Sequence, residues 1–345
     1  MNTPIAARAD ETPVENRLHS HRLETGATGD AVIEKSATGS SATGKLKVIY
    51  ILGASHSGTT LTAMVLGALP DVCTIGELKL SHLGDPEHYK CSCGTLIRAC
   101  PFWCNVRNRM AARGQAFDVA DAGTDIFDMP SAYVRRLLRP LCRGPKWEAL
   151  RDFALSLSSA WRMGLPRLQH QNAELIRAVC ELHGVSTIVD SSKTAIRAKY
   201  LLKNDALDVR IVRLVRDGRG TAHIYILERN DPMPAAAMEW KRSTLEGEAF
   251  LEGVDPARWI EVRYEELCRD PAATLARICR FADVPFDGEV RCFRSSEHHI
   301  VGNYMRMETS TTIKLDDRWR TVFTQKQLDE FDAVAGELNR KYGYE

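Results

Sequence analysis

Gly53-Ala54-Ser55-His56-Ser57-Gly58-Thr59-Thr60 follows directly on the apolar run Val48-Ile49-Tyr50-Ile51-Leu52. Five consecutive apolar residues, rich in β-branched types and closed by glycine, read as a buried strand. The residues after it read as a helix from Thr59 to Leu69, with Leu61, Val65 and Leu69 on its apolar side. Strand, glycine-framed loop and helix make a phosphate-binding loop, in which backbone N–H groups at a helix N-terminus meet an anion. The nucleotide-hydrolase form of this loop ends Gly-Lys-Ser/Thr, with the lysine on the β/γ-phosphates. Here that lysine is Thr59. The loop keeps what wraps one phosphate and lacks what a triphosphate uses, so it points to a nucleotide bearing a single 5′-phosphate.

The chain has 345 residues, enough for a full core, and a formal net charge of +1. Near-neutral charge gives no electrostatic case for nucleic acid or for a membrane surface. No window approaches the ~18 apolar residues of a spanning helix, so no transmembrane segment is expected. The first residues carry no apolar core of a secretory signal. Ten cysteines without such a signal read as reduced thiols, and the expected location is cytoplasmic.

Residues 1–44 are polar and end in the near-repeat Ser36-Ala37-Thr38-Gly39, Ser41-Ala42-Thr43-Gly44. Their composition predicts a disordered leader, with one folded domain over 45–345. Within that domain, strands are expected at 71–78, 185–189, 209–215 and 259–263, each but the first followed by a helix. Residues 85–110 read as irregular and rich in cysteine. Residues 131–183 read as helical, broken near Pro140, Pro145 and Pro166. A helix is expected over 271–282 and a last one over 324–341. Alternation of strands and helices predicts a three-layer, mostly parallel α/β sheet, with a helical insertion at 105–183 covering the acceptor side. Ligands of such sheets lie beyond the C-terminal ends of the strands.

Four polar clusters fall at those ends: the 53–60 loop, Glu77, Asp190-Ser191-Ser192-Lys193 and Arg216-Asp217-Gly218-Arg219. Asp217 suits a helix cap, with Arg219 as a solvated charge. Arg216 closes an apolar strand on the ligand edge and suits a second phosphate, gripped by its guanidinium fork. Asp190 and the serines read equally well as a cap, whereas Lys193 suits a leaving oxygen that gains charge. Glu77 is a candidate general base by its position.

In this order and spacing, the chain resembles the sulfotransferases that use 3′-phosphoadenosine 5′-phosphosulfate. The matching stretches are Ser57-Gly58-Thr59-Thr60, Val189-Asp190-Ser191-Ser192-Lys193, Leu214-Val215-Arg216-Asp217-Gly218-Arg219 and Arg263-Tyr264-Glu265-Glu266-Leu267 with Asp270-Pro271. Gly302-Asn303-Tyr304-Met305-Arg306 and Asp317-Arg318-Trp319 add weaker agreement. The set spans residues 46–323 and is most similar to the tyrosylprotein-type and related bacterial branches.

The resemblance implies a P-loop-like α/β fold and transfer of a sulfuryl group to an acceptor hydroxyl, with an amine as second choice. It implies that Ser55, Ser57, Gly58, Thr59 and Thr60 bind the 5′-phosphosulfate. Arg216 would take the 3′-phosphate, with Arg306 as a late partner, and Tyr264 would lie near the bound nucleotide. It makes Glu77 the base, Lys193 the partner of the bridging oxygen and His56 a third catalytic residue. No metal is required for the transfer.

Two positions depart from the pattern. His56 stands where relatives carry Arg or Lys, which makes sulfuryl stabilisation weaker or pH-dependent. Ile224 stands where relatives carry a Ser for the 3′-phosphate, leaving Thr221 or Tyr225 as substitutes. These departures keep two rivals open: a P-loop kinase of a small hydroxyl compound, and a nucleotide-binding protein without catalysis. Cys91, Cys93, Cys100 and Cys104 are not spaced as a standard zinc pattern and read by default as reduced thiols over the active site. His298 and His299 read as substrate-side or surface residues. The acceptor class is not legible.

Overall fold

The computed structural model describes residues 44–81, 83–293, 298–302, 304–307 and 312–345, without the side chains of 304 and 306. The expected leader lies outside the described residues apart from Gly44.

The strands are β1 (Leu46–Gly53), β2 (Val72–Thr74), β3 (Thr187–Lys193), β4 (Leu207–Val215) and β5 (Trp259–Arg263). The helices are α1 (Thr59–Gly67), α2 (Pro101–Ala112), α3 (Ala132–Leu138), α4 (Pro145–Ser156), α5 (Ser159–His183), α6 (Ala195–Leu202), α7 (Gly218–Arg229), α8 (Met233–Leu251), α9 (Tyr264–Arg269), α10 (Pro271–Ala282), α11 (Trp319–Val322), α12 (Gln325–Phe331) and α13 (Glu337–Lys341). One π-helical turn, Asp332–Gly336, joins the last two.

The strands form one sheet in the order β2-β3-β1-β4-β5, with every pairing parallel. A parallel sheet is covered on both faces, and β1 shows it. Val48, Tyr50 and Leu52 point into one core with residues of α2, α5 and α6. Ile49 and Ile51 point into the other, with Leu61 and Val65 of α1 and Leu275 and Ile278 of α10. The expected three-layer α/β architecture is therefore present.

The chain leaves β1 toward β2 and β3, then crosses back past β1 to β4 and β5. That reversal is a topological switch point, where the loops at the strand ends diverge and leave a crevice. Because all five strands run the same way, their C-terminal ends share one edge of the sheet.

Three local expectations differ. The second strand is shorter, because the chain turns at Gly76 (φ +81°) and pairs instead with Val301. A Cβ on Gly76 would sit 2.1 Å from the Val301 carbonyl oxygen, so only glycine permits this approach. The segment read as irregular contains α2, whose Phe102, Trp103, Val106 and Met110 are buried at helical spacing. Pro166 does not break α5. A proline inside a helix costs about 3 kcal/mol, but Ala173, Leu175, Ile176, Val179 and Cys180 are buried further along the same helix. Burial of one such large aliphatic side chain is worth ~1.5–3 kcal/mol, so several outweigh the lost bond.

Asp190 is not a cap. It is buried in β3, and its Oδ2 accepts from Arg197 Nε at 3.0 Å. Its Oδ1 accepts from the backbone N–H groups of Ser192 (2.9 Å) and Leu78 (3.2 Å). Arg197 continues to the Thr124 carbonyl at 2.7 Å and to Asn172 Oδ1 at 2.8 Å. This network fastens the ends of β2 and β3, the two ends that carry Glu77 and Lys193. Asp190→Ala leaves the Arg197 cation buried and unpaired, which should cost ~3–5 kcal/mol. Urea unfolding measures it, and a loss no larger than a surface substitution gives would refute the role.

Candidate active site

The strand ends converge on one edge of the sheet and carry the four clusters the sequence places there, with Tyr264 added by the fifth. β1 carries the 53–58 loop, the turn after β2 carries Glu77, β3 ends on Lys193, β4 leads to Arg216 and β5 leads to Tyr264. A cleft of about 630 Å³ opens there, lined by His56, Gly58, Thr59, Thr60, Lys193, Arg216 and Tyr264 among others.

The loop enters α1 through Gly58 at φ +92°. A Cβ at Gly58 would lie 2.4 Å from Cδ2 of Tyr264, so glycine is required both by conformation and by space. No side chain caps α1. Its first N–H groups are therefore left for an anion, the arrangement that binds phosphate at a helix N-terminus. The hydroxyls differ from expectation. Ser57 is buried and donates to the Ala54 carbonyl at 2.6 Å, which braces the turn. Ser55 hydrogen-bonds the Tyr225 phenol. Thr59 and Thr60 are the residues of the set that line the cleft with Gly58.

Arg216 is buried. It donates to the His56 carbonyl at 2.8 Å and the Asp316 carbonyl at 2.6 Å, and pairs with Asp316 Oδ2 at 3.2 Å. Its guanidinium lies 4.5 Å from the centre of the Tyr264 ring. The Tyr264 hydroxyl donates to the Lys314 carbonyl and accepts from Asp316 N–H, each at 3.2 Å. Tyr264 thus props the loop 312–318 as well as lining the cleft. Asp316 joins Arg216 to Arg318, and despite burial these arginines hold its carboxyl down at about 2. Asp217 is the expected cap of α7. Arg219 is not a solvated charge: it pairs with Asp217 at 2.8 Å and covers the Trp319 ring at 4.2 Å.

Lys193 adopts the left-handed conformation, φ +72°, as does His56 at φ +63°. Such backbone in a residue other than glycine costs ~1–3 kcal/mol and clusters at functional sites. Lys193 Nζ lies 2.6 Å from Glu77 Oε1, and Lys79 Nζ lies 3.2 Å from Oε2. Burial pushes the Glu77 carboxyl up, but the two lysines more than offset this and hold it below its ordinary value. Glu77 is therefore ionised, and it stands one side chain back from the cleft, behind Lys193.

His56 Nε2 is 3.5 Å from Glu228 Oε2, and its ring meets Tyr225 edge-on at 4.8 Å. Burial, then Lys193, Arg229 and Arg216, lower its pKa from 6.5 to about 4. The imidazole is neutral at pH 7, so the pH-sensitive charge expected at this position is absent there. As pH falls, protons bind the unfolded chain before the folded one. Stability is complete above 6.5 and is lost progressively toward pH about 4. His183, lowered to about 4 chiefly by burial, acts in the same sense. His56→Gln should flatten the fall in melting temperature over that window, and an unchanged slope would contradict a neutral His56.

Neither substitute for the missing serine reaches the cleft. Thr221 is buried in α7 and Tyr225 packs on His56. Ile224 itself lines the cleft, as do Thr312, Lys314 and Arg318. Lys314 and Asp316 escaped the sequence reading, although Asp317-Arg318-Trp319 marked the neighbourhood. The side chain of Arg306 lies outside the described residues.

Of the cysteine cluster, Cys91, Cys93 and Cys100 come together, but Cys104 does not. Its thiol donates to the Arg98 carbonyl instead. The fourth member is His299, whose ring had read as substrate-side or surface.

Residues 206–288 match the model of the Sulfotransferase family. They run from β4 to α10 and carry Arg216, Ile224 and Tyr264. The matched segment contains two of the stretches that carry the resemblance, Leu214–Arg219 and Arg263–Leu267. Among solved structures, the sulfotransferase domain of the Synechococcus PCC 7002 olefin synthase shares 20% identity over 87% of this chain and 95% of its own, TM-score 0.49. The sulfotransferase domain from the curacin biosynthetic pathway shares 19% over 85% and 97%, TM-score 0.47. Sulfotransferase STF9 from Mycobacterium avium shares 14% over 86% and 77%, TM-score 0.43. Comparison with curated proteins gives no match. Among the described residues, no helix is long and apolar enough to cross a membrane.

Proposed function

We propose that the protein transfers the sulfuryl group of 3′-phosphoadenosine 5′-phosphosulfate to an acceptor hydroxyl. The observation that carries this reading is the pairing of two phosphate-type sites in one cleft without a Walker lysine: the uncapped N-terminus of α1 and the Arg216 guanidinium. The first suits the 5′-phosphosulfate. The second, with Lys314 and Arg318 also lining the cleft, suits the 3′-phosphate and supplies cations that make a serine at position 224 dispensable. Binding there competes with Asp316 for Arg216.

In the transfer, the acceptor oxygen forms a bond to sulfur as the bond from sulfur to the bridging phosphate oxygen breaks. The acceptor proton passes to the Glu77 carboxylate. The Lys193 ammonium donates to the bridging oxygen, which gains charge as it leaves. Lys193 is paired with Glu77 in the resting site, so its move to the leaving oxygen also frees Oε1 to take the proton. Most of the rate then comes from position and electrostatics, as in phosphoryl transfer.

Incubation with phosphosulfate and a mixed panel of phenols, sugars, lipids and peptides tests the reading. Acceptor-dependent release of adenosine 3′,5′-bisphosphate is expected. ATP consumption in its place would favour a kinase. Bisphosphate binding with no acceptor sulfated would favour a protein that only binds nucleotide.

A further inference from the structure

Cys91, Cys93, Cys100 and His299 offer four ligand atoms that all lie within 4.8 Å of one another. Cys93 Sγ is 3.6 Å from Cys100 Sγ, and His299 Nδ1 is 3.5 Å from Cys91 Sγ and 3.3 Å from Cys100 Sγ. Zinc–sulfur bonds of ~2.3 Å and zinc–nitrogen bonds of ~2.05 Å at tetrahedral angles put sulfurs ~3.8 Å apart and sulfur and nitrogen ~3.6 Å apart. These three separations are close to those values, and the remaining pairs lie within 4.8 Å. Three sulfurs and one imidazole are a closed structural zinc set.

The surrounding backbone is built in the same way. Lys90 bridges Leu96, and the turn between them places Gly94 at φ +85°, with its N–H on the Cys91 carbonyl at 2.8 Å. Backbone N–H groups of Cys93 and Thr95 meet the sulfurs of Cys91 and Cys93, and those of Phe102 and Trp103 meet Cys100 at the start of α2. The His299 ring stacks on Phe102, 4.5 Å between centres and 2° between planes, which fixes its orientation. Cys91 and Cys100 are buried, and Cys93 and His299 are partly exposed.

We propose that these four residues bind one zinc ion, a structural site separate from the transfer chemistry. Binding releases three protons from the thiols, and His299 binds through Nδ1 in its neutral form with the remaining proton on Nε2. The ion ties a hairpin at 90–96 to a loop some two hundred residues later. That loop is joined in turn to the site: Val301 N–H donates to Ile75 at 2.8 Å, and Glu77 N–H donates to Val301 at 3.2 Å. Zinc therefore holds the backbone that presents Glu77, while making no contact with the phosphate cleft.

The test measures metal content and cobalt spectroscopy on the full chain, freed of any histidine tag and dialysed. One zinc per chain is expected by mass spectrometry of the metal. Replacement by cobalt should give the thiolate-to-cobalt charge-transfer and intense ligand-field bands of a tetrahedral site, saturating at one equivalent. Cys104→Ser and Cys268→Ser should keep both signals. Cys93→Ser alters the half-exposed ligand, the one least needed for packing. It should weaken metal binding by more than the ~10–100-fold that loss of an outer-shell partner costs. Folded wild-type protein that takes up neither zinc nor cobalt overturns the proposal. A Cys93–Cys100 disulfide in the protein as isolated, another metal in place of zinc, or unchanged affinity in Cys93→Ser does so equally.

Discussion

Glu77→Gln should lower turnover ~10²–10⁴-fold, the range for loss of a general base, with little change in affinity for adenosine 3′,5′-bisphosphate. Gln keeps the shape of the side chain and a hydrogen-bond acceptor for Lys193 but cannot take the acceptor's proton. The separation of the two effects follows from the site. Glu77 stands behind Lys193 and not on the wall of the nucleotide cleft. In the resting site it is paired with two lysines, which stabilise its charge and make it a poor base. It becomes competent when Lys193 turns to the leaving oxygen. Steady-state rates with a found acceptor, together with calorimetry of the bisphosphate, measure both quantities. Turnover near that of the wild type would transfer the role of base to another group, with His56, which lines the cleft, next in line.

Lys193→Ala should lower turnover by ~10²–10³-fold, the loss expected when one electrostatic donor is removed from a water-poor site. Affinity for the bisphosphate product should fall much less. Lys193 already bears the cost of φ +72°, and Ala in the same conformation adds no new backbone strain. The difference between the two losses is the diagnostic quantity, because only an interaction stronger in the transition state than in the ground state accelerates the step. Equal losses in binding and turnover would make Lys193 a ground-state phosphate ligand. No loss in either would leave it as the counter-ion of Glu77 alone.

Much of this site could be read from the sequence because parallel sheets impose a simple rule. The apolar run at 48–52 and most of 209–215 are buried on both faces, so they stand out without periodicity. The polar residues that terminate them share one edge. That rule put the loop, Glu77, Lys193 and Arg216 on one edge, while Tyr264 entered only through the resemblance. What stayed hidden depends on contacts distant in sequence. Asp190 looks like a cap because Asp-Ser-Ser is a capping sequence, whereas its partner Arg197 is revealed only when β3 passes into α6. Asp316 and Lys314 sit in a loop without periodicity, held by the Tyr264 hydroxyl. His299 joins cysteines two hundred residues earlier, and no spacing rule connects them. In α2 the signal was present, since Phe102, Trp103, Val106 and Met110 follow helical spacing, but the cysteines around them suggested a loop.

The central claim is a cleft with two phosphate sites, one at the start of α1 and one at Arg216. Calorimetric titration of the wild type and Arg216→Ala with adenosine 3′,5′-bisphosphate, adenosine 5′-phosphate and magnesium ATP tests it most directly. The wild type should bind the bisphosphate most tightly. Loss of a charge-assisted partner, worth ~1.5–3 kcal/mol, should remove most of the preference over the 5′-phosphate, a change of ~10–100-fold. Equal affinity of the wild type for the two adenosine phosphates, or tighter binding of magnesium ATP, would contradict the account.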